Sequence, residues 1–141
     1  MFREMRRKKQ LLSTADTIAV LNRMTSGVLA LLGDNDYPYA VPTSYVYHEN
    51  TLYFHSALAG HKVDAIAQNS KASFCVIEQD QIVPEEYTTY FRSAIAFGQI
   101  SMVNDDVEKR TAIELLAEKY SPAQEEGRLK EIEKGFHHLC V

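Results

Sequence analysis

The sequence predicts a mainly β, α+β domain: an antiparallel sheet curled into a small closed or split barrel, with a few flanking helices. Three observations carry this. Strand-like runs at 28–32, 37–47 and 51–55 are separated by the turn clusters Gly33-Asp34-Asn35-Asp36 and His48-Glu49-Asn50, which suit antiparallel hairpins. The hairpins follow one another without long crossover connections, as an antiparallel sheet requires. No glycine-rich dinucleotide fingerprint is present, which argues against a Rossmann sheet. The 141 residues suit one domain spanning 1–141, with 1–12 as a basic N-terminal arm.

Each element has its own reason. Residues 14–24 form a short helix: Thr14 or Asp16 can cap it, and Ile18, Leu21 and Met24 make its apolar stripe. Gly27 breaks that pattern, and 28–32 is a short buried strand. Residues 37–47 are rich in Tyr and Val, with Pro38 and Pro42 inside, which marks an edge, a bulge or a strand start. Residues 51–55 alternate between faces. Residues 60–69 carry Val63, Ile66 and Ala67 at helical spacing, starting near Ala59 or Gly60. Residues 72–77 return to strand. Residues 78–86 are polar, contain Pro84 and read as a loop. Residues 87–103 make one long or bent strand, with Gly98 at the bend. Residues 105–120 are the clearest helix, capped by Asn104 or Asp105, with Val107, Ile113, Leu116 and Ala117 on one face. Ser121-Pro122 ends it. Residues 125–134 read as a charged helix ending at Gly135, and 137–141 as the opening of a last strand.

Composition narrows the function. The net charge is −4, but residues 1–10 hold five basic side chains and one acid, so the remaining chain is ten basic against 18 acidic, a net −8. An acidic body argues against nucleic acid as a partner. No apolar run can span a bilayer, and the basic start lacks the apolar core of a secretory signal. Cys75 and Cys140 are too few for a disulfide framework or a zinc site. A cytoplasmic protein with reduced thiols is expected.

The richest stretch is His55-Ser56-Ala57-Leu58-Ala59-Gly60-His61-Lys62. A strand ends in a hydroxyl, a loop of small residues follows, and a helix begins with Gly, His and Lys. A helix start presents free N–H groups and the positive end of the dipole. With Ser56, His61 and Lys62 it can seat an anion, most naturally a phosphate; the plainer reading is an ordinary capped helix with a solvated Lys62. His55 is either a general acid or base or a hydrogen-bonded wall residue. Tyr87-Thr88-Thr89-Tyr90 offers rings and hydroxyls to a flat heteroaromatic ligand, or simply favours a strand. His137 and His138 point to opposite faces of one strand, so with Cys140 they make no metal site, and none is expected elsewhere. The basic arm suits a solvated or partner-clasping tail.

These motifs together resemble the pyridoxamine 5′-phosphate oxidase-like, FMN-binding split-barrel superfamily, and within it the nitroimidazole-resistance (Nim) group of flavoproteins. The resemblance runs over nearly the whole chain. It is carried by MRRKKQ at 5–10, GVLALLGDNDYPYAVPTSYVY at 27–47, YFHSALAGHKVDAI at 53–66 and YTTYFRSAIAFGQI at 87–100. It implies a Greek-key split β-barrel and a homodimer with FMN in clefts at the interface. It also implies that Ser56, His61 and Lys62 hold the phosphate and that the flavin ring lies along Val41, Pro42 and Thr43. Thr88 and Thr89 would come near the cofactor from the partner subunit, and His55 or His61 would face the reacting ligand. The implied activity is reduction of a nitro group on a small molecule, with NAD(P)H or another electron donor. Relatives on this fold also bind haem or a deazaflavin, so the other implied reading is a non-catalytic cofactor-binding sensor or store.

The sequence departs from the family in two ways. Pyridoxamine phosphate oxidases carry a C-terminal segment with Trp and Arg, whereas this chain has no Trp and stops at Val141. Vitamin B6 oxidation is therefore not expected. Relatives also continue the last strand beyond Cys140-Val141, so a short final strand or a truncated sequence is expected.

Overall fold

The computed structural model describes residues 2–122 and the backbone of 139–140. The first helix, α1 (Thr14–Arg23), is capped by Ser13 rather than by Thr14 or Asp16. The Ser13 hydroxyl accepts from the Asp16 N–H at 3.0 Å and donates to the Asp16 carboxylate at 2.8 Å. Thr14 and Asp16 instead lie inside the first turn, where a carboxylate favours the helix dipole. Val20 and Leu21 drive the inner face of α1 into the core.

Strand β1 (Ser26–Leu32) starts earlier than the apolar run alone indicates. Gly27 is inside the strand and does not break it. A Cβ there would stand 2.5 Å from Phe74 Cζ and 2.6 Å from the Cys75 carbonyl oxygen. The glycine therefore makes room for the Phe74 ring, which meets Tyr45 and Phe54 edge-on at centroid distances of 4.9 and 5.0 Å.

The other elements are β2 (Pro38–His48), β3 (Thr51–Phe54), β4 (Ser56–Ala57), α2 (His61–Gln68), β5 (Lys71–Val83), β6 (Thr88–Gln99), α3 (Asp106–Tyr120) and β7 (Leu139–Cys140). The main sheet is antiparallel in the order β3-β2-β1-β5-β6. Three consecutive strands are followed by one that returns beside the first, which is Greek-key order. Strands β4 and β7 pair separately.

Three boundaries differ from expectation. The polar stretch 78–83 is strand, not loop: β5 continues through a bulge after Ile77 and pairs with β6 as far as Val83 and Thr88. Its polarity reflects solvent on this ribbon, because residues 79–82 are exposed. Strand β6 ends at Gln99, and Gly98 sits in regular register opposite Ala72 rather than at a bend. The expected strand at 137–141 is observed at Leu139–Cys140. The expected helix at 125–134 lies outside the described residues.

Strand β2 is where the sheet splits. Its residues 38–44 pair with β1 and its residues 45–48 pair with β3. The change of partner falls at Tyr45, whose backbone groups must be satisfied another way. The Tyr45 N–H donates to the Tyr120 hydroxyl at 2.9 Å, and the Tyr45 carbonyl accepts from Lys119 Nζ at 3.1 Å and from Tyr120 Oη at 2.7 Å. The Tyr120 hydroxyl also reaches the Thr25 carbonyl. The fully buried Tyr45 ring carries the Lys119 ammonium 4.0 Å over its face and donates its own hydroxyl to the Leu21 carbonyl at 2.6 Å. Helix α3 thereby fastens the split and packs Ala112, Ile113 and Leu116 on Val46. The main core gathers Val20, Leu29, Leu31, Phe74 and Val76 between α1 and the sheet. No helix among the described residues is long and apolar enough to cross a membrane.

Candidate functional site

The polypeptide leaves β3 at His55, forms β4, and enters α2 through the exposed Gly60, which sits at φ +138°. That backbone conformation favours glycine. No side chain caps α2. The first intrahelical bond runs from the Asp64 N–H to the Gly60 carbonyl at 3.0 Å, so the N–H groups of His61, Lys62 and Val63 have no helical acceptor. A Cβ built on Gly60 would meet nothing within 4 Å, so the approach to this helix start is open. Lys62 is half-buried and has no ion-pair partner among the described residues. The Ser56 hydroxyl donates to the Ala57 carbonyl at 3.2 Å, and the Ser56 backbone is held by its pairing opposite Cys140.

His55 stands at the end of β3. Partial desolvation of its ring, and then the nearby Lys62 charge, hold its pKa below the ordinary histidine value. The imidazole is therefore neutral at neutral pH, and no carboxylate among the described residues pairs with it. Lys62 thus lies near enough for its charge to act on the His55 ring.

His61 has ring neighbours outside this segment. Its ring stacks on Tyr39 of β2, centroids 3.9 Å apart and 21° from parallel. Its Nε2 lies 4.0 Å from Asp34 Oδ2 in the β1–β2 turn. Tyr39 stands two positions before Val41, on the same face of β2.

Val41, Pro42 and Thr43 lie on the half of β2 that pairs only with β1, opposite Leu29, Val28 and Gly27. No strand among the described residues pairs with the other edge of residues 38–44. Val41 and Thr43 are half-buried and Pro42 is exposed. Unpaired backbone N–H and C=O groups on that edge remain available to a ligand.

Thr88 and Thr89 are exposed and pair with Val83 and Ile82 at the far end of the β5–β6 ribbon. Strand β6 stands at the opposite end of the strand order from β3. Across the same sheet Val28, Cys75 and Ile95 align in register. They lie on the face opposite the buried Leu29, Phe74 and Ala94. Val28, Ile95 and Phe97 are 40%, 58% and 56% exposed, so this outer face is an apolar patch left to solvent. Among the described residues no group of three His, Cys, Asp or Glu side chains could hold a metal ion. The side chains of His137, His138 and Cys140 lie outside the described residues.

The family model for pyridoxamine 5′-phosphate oxidase matches residues 13–140. Solved structures are similar in fold. A candidate 5-nitroimidazole antibiotic resistance protein from Bacteroides thetaiotaomicron superposes with a TM-score of 0.71 at 22% identity, over 81% of this chain and 70% of that one. A conserved hypothetical protein from Mycobacterium tuberculosis superposes with a TM-score of 0.84 at 14% identity, over 97% and 82%. A FAD- and haem-binding protein from Mycobacterium smegmatis superposes with a TM-score of 0.73 at 21% identity, over 91% of this chain and 63% of that one. No curated protein matches the chain. The chain belongs to the pyridoxamine 5′-phosphate oxidase family, with its α+β split-barrel fold.

Proposed function

We propose that this family member binds FMN in a cleft shared by two copies of the chain and acts as an FMN-dependent reductase of nitroaromatic, 5-nitroimidazole-like or related small electrophilic compounds. The observation that carries the reading is the uncapped start of α2 beside Lys62, on a barrel whose β2 strand has an open edge. Three free N–H groups, the end of a helix dipole and a half-buried ammonium suit a phosphate. The Ser56 hydroxyl joins them by rotating away from the Ala57 carbonyl. The backbone edge beside Val41, Pro42 and Thr43 offers hydrogen bonds to the polar rim of a flat ring.

Bound flavin supplies the electron transfer, with NAD(P)H or another donor as the source. The chain anchors, orients and shields. His55, neutral because its pKa is lowered, can donate a hydrogen bond from its ring N–H to an oxygen of the substrate, or accept a proton at its other ring nitrogen. The apolar outer face around Val28, Ile95 and Phe97 supports a homodimer, and in this reading Thr88 and Thr89 come near the cofactor from the partner subunit. The nitroimidazole-resistance relative supports the substrate class, and the FAD- and haem-binding relative supports a flavin.

The test begins with the purified protein. Visible absorbance and mass of the released cofactor should identify FMN. Anaerobic NAD(P)H should bleach it, and a 5-nitroimidazole should restore the colour as the nitro group is reduced. A cofactor that bleaches but never passes electrons to a nitro compound excludes the nitro-reducing form of the reductase. It would leave a non-catalytic sensor or store of flavin, haem or deazaflavin, a reading in which His55 needs no acid partner. A monomer by light scattering contradicts the shared cleft.

A further inference from the structure

His61 is the first residue of α2, directly after Gly60 of the loop that follows Ser56, yet its ring is engaged elsewhere. Three contacts hold it. One face lies 3.9 Å from the ring of the half-buried Tyr39. Its Nε2 is 4.0 Å from the Asp34 carboxylate. Gly33 is buried directly beneath: a Cβ there would come within 3.0 Å of His61 Nε2 and 3.0 Å of Tyr39 Cβ. The glycine thus leaves the space in which the ring stacks. An anion brought to Nε2 would also meet the negative charge of Asp34. Releasing the ring toward the helix start would break the stack and detach α2 from the β1–β2 turn.

We infer that His61 is a positioning residue and not a phosphate ligand. Stacked on Tyr39 in the space that Gly33 leaves, it fixes the first turn of α2 so that the free N–H groups and Lys62 hold their aim at the phosphate. The inference rests on the FMN reading above, in which this helix start seats the phosphate. It replaces one member of that site with a neighbour on β2 that the sequence motif does not include.

The test compares FMN with riboflavin, which lacks the phosphate, by flavin fluorescence quenching. The FMN-to-riboflavin affinity ratio reads the phosphate seat alone. An aromatic pair contributes enough for its loss to weaken binding by about fivefold. His61→Ala and Tyr39→Ala are therefore each expected to lower the ratio by about fivefold, and the double variant to fall no further, because both remove one contact. His61→Phe restores the stack without a ring nitrogen and is expected to keep the ratio within about twofold of the unmodified protein. A direct ligand gives the opposite pattern. His61→Phe would then lose as much as His61→Ala, with Tyr39→Ala unchanged, and that outcome overturns the inference. Lys62→Ala separates the two levels. If it too leaves the ratio unchanged, the phosphate seat itself is misplaced, and the positioning role falls with it. If it lowers the ratio while His61→Phe also fails, only the role of His61 is wrong.

Discussion

The two halves of β2 are built for opposite purposes. From Tyr45 onward the strand is paired with β3, buried, and fastened through its backbone to Tyr120 and Lys119 of α3. Before Tyr45, residues 38–44 are paired on one edge only, carry two prolines, and have no strand on the other edge among the described residues. One covalent strand thus joins a closed half, where the Tyr45 backbone groups are matched by α3, to an open half, where backbone groups are left for something else to match. The closed half lets the open one stay open. The open half keeps its shape through its pairing with β1, and Tyr45 fastens the point where that pairing ends.

The largest expected effect breaks the closed half. Tyr45→Ala removes a fully buried ring that touches Phe74 and Lys119 and is expected to destabilise the fold by about 3–5 kcal/mol in urea unfolding. A loss below about 1 kcal/mol, the size of an ordinary surface change, would mean that the junction is not the fastening described. The next effect breaks the open half and leaves the closed half alone. Lys62→Ala together with Ser56→Ala is expected to weaken FMN binding by about 1.5–3 kcal/mol for the charge-assisted contact, with a smaller share from the hydroxyl. The unfolding midpoint should hardly move, since both groups lie outside the core clusters. Unchanged FMN affinity in the double variant removes the phosphate seat from α2.

The same contrast explains what could be read from the sequence. The closed half is written in local patterns: alternating Tyr and Val, turn clusters, and a capped helix over 105–120 whose limits agree with α3. The α2 start was legible because Gly60, His61 and Lys62 sit together in the chain. Contacts that depend on distant residues were not. Gly27 looks like a helix breaker until Phe74, 47 positions away, is seen to need its space. The polar residues of 78–83 resemble a loop because a two-stranded ribbon with solvent around it needs no apolar alternation. His61 resembles a phosphate ligand because its neighbours in sequence are polar, while its neighbours in space, Tyr39 and Gly33, lie across the sheet.

A smaller change sharpens where the closed half begins. Tyr120→Phe keeps the ring but removes the hydroxyl that accepts from the Tyr45 N–H and donates to its carbonyl. Leaving a part-buried N–H unmatched is expected to cost about 1–3 kcal/mol. The loss should appear as faster hydrogen exchange at the Tyr45 amide, with amides of β5 and β6 unaffected. Uniform loss of protection across the sheet would mean that Tyr120 supports the whole barrel and not the junction.

The smallest effects separate the halves by pH. Burial, and then Tyr120, push the Tyr45 hydroxyl up to about 12 from its ordinary 10.0. Between those values the unfolded chain has already lost the proton that the folded chain retains, so the closed half loses stability as pH rises through that window. Tyr45→Phe removes that alkaline arm. His55 works in the other direction. Its folded pKa lies below the ordinary 6.5 because its ring is partly desolvated and Lys62 is near. Above pH 6.5 the ring is neutral in both states and costs nothing. As pH falls below 6.5 the unfolded chain takes up the proton first, so stability declines until the folded ring is protonated too, and is then level. His55→Gln should flatten this acid arm. Lys62→Ala should shrink it without abolishing it, because desolvation is the larger cause and the lysine charge the smaller. An acid arm that disappears with Lys62→Ala would reverse that order and make the helix-start charge, not the strand end, the main control on His55.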